Sequence, residues 1–182
     1  MVRAARKIRA WRRRFAQARD GATAVEFALI AAPFLALMFG VLELGMVFMV
    51  STTLDNATES AARKIRTGEF QMAGGGSAST FRDAICADMT WLGSTCASKL
   101  QVDVRTFPRF ADVSLTDPVT DGAFDSSKTT FVPGDGEDIV VVRAYYEWTL
   151  ITPMMNAGLA SLGGTKRLIY STVTFRNEPF ET

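Results

Sequence analysis

Residues 27–42 read FALIAAPFLALMFGVL, sixteen positions without a charge, and beyond Glu43 the chain continues as LGMVFMV to Val50. At ~1.5 Å per residue the stretch from 27 to 50 reaches about 36 Å, enough to cross a ~30 Å hydrocarbon core with some tilt. A lone span must be helical, because lipid offers nothing to an open backbone N–H or C=O. Pro33 removes one helical N–H and crowds the turn before it, so a local bend is expected there. A buried helix of a soluble protein would carry a polar stripe, and this one carries none.

The charges flanking this stretch set its orientation. The protein has 182 residues and a net charge of +1, but the first twenty residues hold eight basic side chains and one acid, Asp20. Asp55 and Glu59 follow the apolar run, and residues 51–182 carry more acids than bases. The positive-inside rule places the N-terminus in the cytoplasm and the rest outside. The expected topology is therefore a single pass, with the N-terminus on the cytoplasmic side. Beside a span, contact with anionic lipid accounts for the basic arm, so no nucleic-acid partner is expected. The apolar region is too long for a secretory signal peptide, and Glu43-Leu44-Gly45 is not a small-residue cleavage site.

Composition removes several chemistries. The chain contains no histidine, which excludes imidazole bases, histidine triads and histidine-containing zinc sites, and two cysteines cannot build a four-thiolate centre. No cofactor is expected and the protein is read as non-enzymatic. A membrane-tethered enzyme would have to work with carboxylates alone, Asp135 with Glu147 being the pair to inspect. The acidic connection from Phe110 to Glu137 lacks the ordered ligand spacing of an EF-hand and reads as solvated turns.

Past the span, Leu54, Ala57, Ala61 and Ile65 recur at helical spacing, which predicts one helix from about Ala22 to Ile65 ending near Gly68. The resulting division is a basic leader (1–21), a transmembrane helix (22–50), an amphipathic extension (51–67), a Gly/Ser linker (68–79) and an outer α+β domain (80–182). Strands are expected at Leu100–Phe107, Asp138–Ile151 and Arg167–Phe175. They form a small antiparallel sheet laid on the long helix, with a short helix between Pro153 and Leu162. Outside the cytosol a disulfide between Cys86 and Cys96 is expected, with buried free thiols as the alternative.

Two acids border the span. Glu26 stands at its start, where a carboxylate must reach the interface or find a partner. Glu43, seventeen residues on, has no evident partner and reads as a carboxylate near the outer interface. Before Glu26 the chain runs Arg19-Asp20-Gly21, then Ala22-Thr23-Ala24-Val25. This resembles the cleavage region of type IV prepilins and pseudopilins, which a membrane aspartyl peptidase cuts after a glycine. The resemblance implies a cut between Gly21 and Ala22, with Glu26 as the fifth residue of the mature chain. A new ammonium at Ala22 would lie one helical turn from the Glu26 carboxylate, offsetting the cost of holding either charge in lipid.

Residues 20–45, DGATAVEFALIAAPFLALMFGVLELG, resemble the TadE-like segment of the tight-adherence (Tad) type IVc pilus system. The points of likeness are Gly21, Ala24 to Leu29, Pro33, Phe39-Gly40 and Leu42-Glu43-Leu44-Gly45. Phe175-Arg-Asn-Glu-Pro-Phe180 is similar to the C-terminus of alphaproteobacterial TadE-like proteins. Phe27 stands where the major pilin has tyrosine, and the outer domain is large, so the resemblance implies a minor pseudopilin. It implies as partners membrane lipid, the prepilin peptidase, other TadE-like pseudopilins and the pilus assembly platform. The competing expectation is an uncleaved single-pass protein whose outer domain binds a ligand or an envelope partner.

Overall fold

A computed structural model of the chain describes residues 21–74, 76–152 and 156–180. The basic leader expected before Gly21 lies outside the described residues, as do Pro153, Met154 and Met155. The chain divides into two compact units after Val41.

The first unit, as far as it is described, is the N-terminal part of helix α1, which runs Ala22–Arg66 and contains Pro33. Its large side chains point outward: Phe27, Leu29, Ile30, Phe34 and Leu37 are all exposed. The helix is long and apolar enough to cross a membrane, with a mean hydropathy of 2.2 over its most apolar eighteen residues.

The second unit holds the core. From residue 50 onward α1 buries Val50, Leu54, Ala57, Ala61, Ala62 and Ile65, the stripe expected from the helical spacing. Arg63, Lys64 and Arg66 crowd its last turn, where cations offset the negative end of the helix dipole. Gly68 then stops it at φ 76°, a left-handed conformation that glycine adopts without cost. A Cβ at Gly68 would also lie 2.5 Å from the ring of Phe180.

A single helical turn, α2 (Glu69–Met72), follows, and Ser77 caps α3 (Ala78–Asp88) by accepting from the N–H of Thr80. These two helices occupy both ends of the stretch expected to be a Gly/Ser linker. Helix α4 (Gly93–Lys99) is tied to α3 by the Cys86–Cys96 disulfide, so the free-thiol alternative is set aside. Closing that short loop is worth about 2.8 kcal/mol in the chain-entropy account.

The sheet is antiparallel in the order β1–β4–β5, comprising β1 (Leu100–Phe107), β4 (Ile139–Thr149) and β5 (Lys166–Arg176). Leu100 faces Tyr146 and Phe107 faces Ile139 across one ladder, and Ile139 to Thr149 pair with Arg176 to Lys166 across the other. The connection from β1 to β4 carries a minimal hairpin of β2 (Val119–Thr120) and β3 (Ala123–Phe124). Helix α5 (Asn156–Leu159) lies between β4 and β5, within the stretch where a short helix was expected.

One face of the sheet, including Leu100, Val102, Val104, Val140, Val142, Ala144, Tyr146 and Ile169, joins the α1 stripe and Phe81, Ile85 and Met89 in one apolar cluster. The architecture is thus α+β, a long N-terminal apolar helix followed by a small antiparallel sheet domain. Strand β4 is buried on both faces, with Val141 and Tyr145 1% and 4% exposed on the side away from that cluster. Burial on both sides explains why residues 139–146 read as a nearly unbroken apolar run and not as an alternation.

Beyond β5 the chain returns as a strap to the end of α1. Glu178 donates its N–H to the Arg66 carbonyl at 2.8 Å, and Asn177 donates its N–H to the Asp138 carbonyl at 2.8 Å. The Asn177 side-chain amide adds bonds to the carbonyls of Pro133 and Asp135. This gives the Phe175–Phe180 motif a local structural role.

Candidate functional site

The described residues open at Gly21, which is exposed; among the described residues beyond its chain neighbours, nothing lies within 4 Å of where a Cβ would stand. Ala22 begins α1, and Glu26 and Phe27 follow on its first turns, both exposed, Phe27 at 73%. Among the described residues no hydrogen bond or ion pair reaches the Glu26 carboxylate. A peptide bond flanked by small, exposed residues, then an acid one turn into an apolar helix, is what remains in view at this end.

Glu43 has partners that the sequence did not name. It is buried, 3% exposed, and its carboxylate is enclosed by the chain that follows β4. Oε2 accepts the main-chain N–H groups of Ile151 and Thr152, each at 2.9 Å, and Oε1 accepts the indole N–H of Trp148 at 3.4 Å. These partners lie more than a hundred residues away in sequence, so no local spacing pointed to them. The carboxylate gains donors inside the fold, and the loop's two amides gain an acceptor they would otherwise lack.

A second enclosed acid was not singled out in the sequence. Asp103, on β1, has no exposed surface. It accepts from Arg105 Nε at 3.0 Å, Arg143 Nε at 3.0 Å and the N–H of Thr130 at 2.8 Å. Arg143 also donates to the Thr116 carbonyl at 3.0 Å and sits 5.5 Å from the centre of the Tyr145 ring. This cluster pins the Phe110–Glu137 connection to the outer face of the sheet, so that connection is partly built in and not solvated throughout. Asp103 and Arg143 face each other in register, a signal that appears only once the β1–β4 pairing is known.

Around the cluster, Phe124, Tyr145 and Tyr170 form an aromatic row with centroids 5.3 and 6.4 Å apart. Tyr145 and Tyr170 line an open groove of about 520 Å³ that also takes in Thr116, Asp117 and Thr172. Burial pushes the Tyr145 phenol up to about 12, with the nearby guanidinium of Arg143 opposing the rise. Asp125 is held below its ordinary value by the hydroxyl and the N–H of Ser127.

Asp135 and Glu147 are not brought together. Asp135 precedes β4 and joins a turn in which its N–H meets the Asp138 carboxylate at 2.9 Å. Glu147 is near the other end of β4 and pairs with Lys166 at 2.8 Å. No group of three His, Cys, Asp or Glu side chains among the described residues could hold a metal ion.

The described N-terminal end, the apolar helix and the buried Glu43 all fall within one recognisable stretch. Residues 21–63 match the family model for TadE-like proteins. The match begins at Gly21, includes Glu26, Phe27, Pro33 and Glu43, and ends three residues before α1 does. The TadE-like likeness read from residues 20–45 is thereby found over a longer segment, while the disulfide-linked helices and the sheet lie outside it. No curated protein and no solved structure matches the chain. The TadE-like segment therefore coincides with the membrane-crossing candidate and with the part of α1 that carries Glu43.

Proposed function

We propose that this protein is a membrane-anchored TadE-like pseudopilin that takes part in assembling a Tad/Flp-type type IV pilus, with a structural role and no chemistry of its own. The observation that carries the reading is the match of residues 21–63 over a helix whose apolar side chains are exposed from Phe27 to Leu37. Such a surface is stable only in lipid or against other apolar helices, and subunit assembly provides both.

In this reading the N-terminus lies in the cytoplasm, α1 crosses the inner membrane, and the disulfide-bearing domain faces the oxidising outer compartment. Prepilin peptidase cuts between Gly21 and Ala22, which removes the basic leader and leaves an ammonium one helical turn from Glu26. That charge pairs with Glu26 in the same chain or in a neighbour, as the helix leaves lipid for an assembly containing other TadE-like pseudopilins and the assembly platform.

Mass spectrometry of the N-terminal peptide from native membranes tests the reading. A mature chain beginning at Ala22 supports it. Chains that keep Arg14 and Asp20 would favour an uncleaved single-pass protein whose outer domain binds a ligand, with the groove at Tyr145 and Tyr170 as the place to look. Replacing Gly21 with a bulky residue is expected to leave a larger membrane species on electrophoresis.

A further inference from the structure

The loop after β4 both encloses Glu43 and turns one large apolar side chain outward. Ile151 and Thr152 donate their N–H groups to Glu43, so this stretch of main chain is level with residue 43 of α1. The Ile151 side chain is 69% exposed, although Leu150 beside it is buried. Around the same level α1 exposes Leu42, Leu44, Phe48 and Met49. Leu150 to Thr152 carry no charge, and none occurs on α1 between Glu43 and Asp55.

The depth of this level follows from helix geometry, on the reading that α1 spans the membrane. The twenty-one residues Ala22–Leu42 rise about 31 Å, which already fills a ~30 Å hydrocarbon core. The outer boundary of the acyl chains then falls near Glu43, below Val50 where the sequence alone had put the end of the span. Irregular main chain survives at that depth only if its N–H groups have protein partners. A carboxylate survives there only with donors. Glu43 and the loop supply each other's missing partners.

From this the geometry points to a second membrane contact: the Leu150–Thr152 loop seats the outer domain on the outer leaflet, with Ile151 entering the acyl-chain boundary of the bilayer. The contact is interfacial and does not cross the membrane, and it holds the domain at a fixed height above the lipid. Glu43 acts as the positioning residue that fixes the loop at this depth.

The test uses the full chain with its disulfide intact, so that a cysteine introduced at Ile151 is the one reactive thiol. Ile151→Cys carries a polarity-sensitive fluorophore, and the protein is reconstituted in phosphatidylcholine/phosphatidylglycerol vesicles. Quenching by acyl-chain nitroxide lipids is compared with quenching by aqueous iodide. Leu35→Cys reports the span and Val132→Cys reports solvent. The expected result is several-fold stronger quenching at Ile151 by the nitroxide lipid than by iodide, on the side of Leu35. If Leu35 is quenched by lipid but Ile151 follows Val132, the loop contact is wrong and the span stands. If Leu35 itself is open to iodide, the span reading fails and takes this contact with it.

Discussion

Glu26 and Glu43 are seventeen residues apart on one helix, yet their surroundings are opposite. Glu26 is exposed on an apolar stretch where no described residue meets its carboxylate, whereas Glu43 is 3% exposed and receives three N–H donors from a distant loop. An acid satisfied inside its own fold stabilises that fold. An acid left at the edge of an apolar surface is available to something outside the chain. In the proposed reading the two glutamates of the TadE-like segment divide the work, Glu26 serving assembly while Glu43 ties the loop after β4 to its helix.

The sharpest way to break this contrast is Glu26→Ala. It is expected to insert and fold normally but to abolish piliation, which electron microscopy of the host would reveal, and normal filaments would remove the assembly role. Asp103→Ala comes next. It strands the buried Arg143 guanidinium and should cost about 3–5 kcal/mol in denaturant unfolding of the outer domain.

Glu43→Ala leaves neutral donors without an acceptor, and its cost should be smaller, about 1–3 kcal/mol. Faster hydrogen exchange at the amides of Ile151 and Thr152 is the diagnostic, and unchanged exchange there would erase the difference between the two acids. The smallest effect is alkaline. Tyr145 stands at about 12 in the folded chain against an ordinary 10.0. Between those values the unfolded chain releases its proton first, so stability falls as pH rises through that window and is untouched at neutrality. Phenolate absorbance during a pH titration follows this, and Tyr145→Phe should remove the slope.

The parts of the molecule that were legible in the sequence are those with a period. The α1 stripe through Leu54, Ala57, Ala61 and Ile65, the stop at Gly68 and the three long strands all follow from spacing, and the observed ends differ from the expected ones by at most two residues. The Cys86–Cys96 pair followed from compartment and count. Chain-distant partners left no such trace. Nothing near Glu43 announces Trp148 or the amides of Ile151 and Thr152. The Asp103–Arg143 pair is visible only after the β1–β4 register is known. The long acidic connection looked like solvent-exposed turns because its own residues are polar, and its attachment to the sheet comes from partners on β1 and β4.

The strap at Asn177–Phe180 has a consequence for biogenesis. Its amide at Glu178 closes on Arg66 and its ring covers Gly68, so the end of the long helix is finished by residues translated more than a hundred codons later. While the ribosome is still delivering the sheet, the apolar stripe past Val50 has no cover of its own. The domain is therefore finished only when its last residues are delivered, and a premature stop before residue 177 would leave the Arg66 carbonyl and the Gly68 end of α1 uncovered while the sheet still covers the stripe.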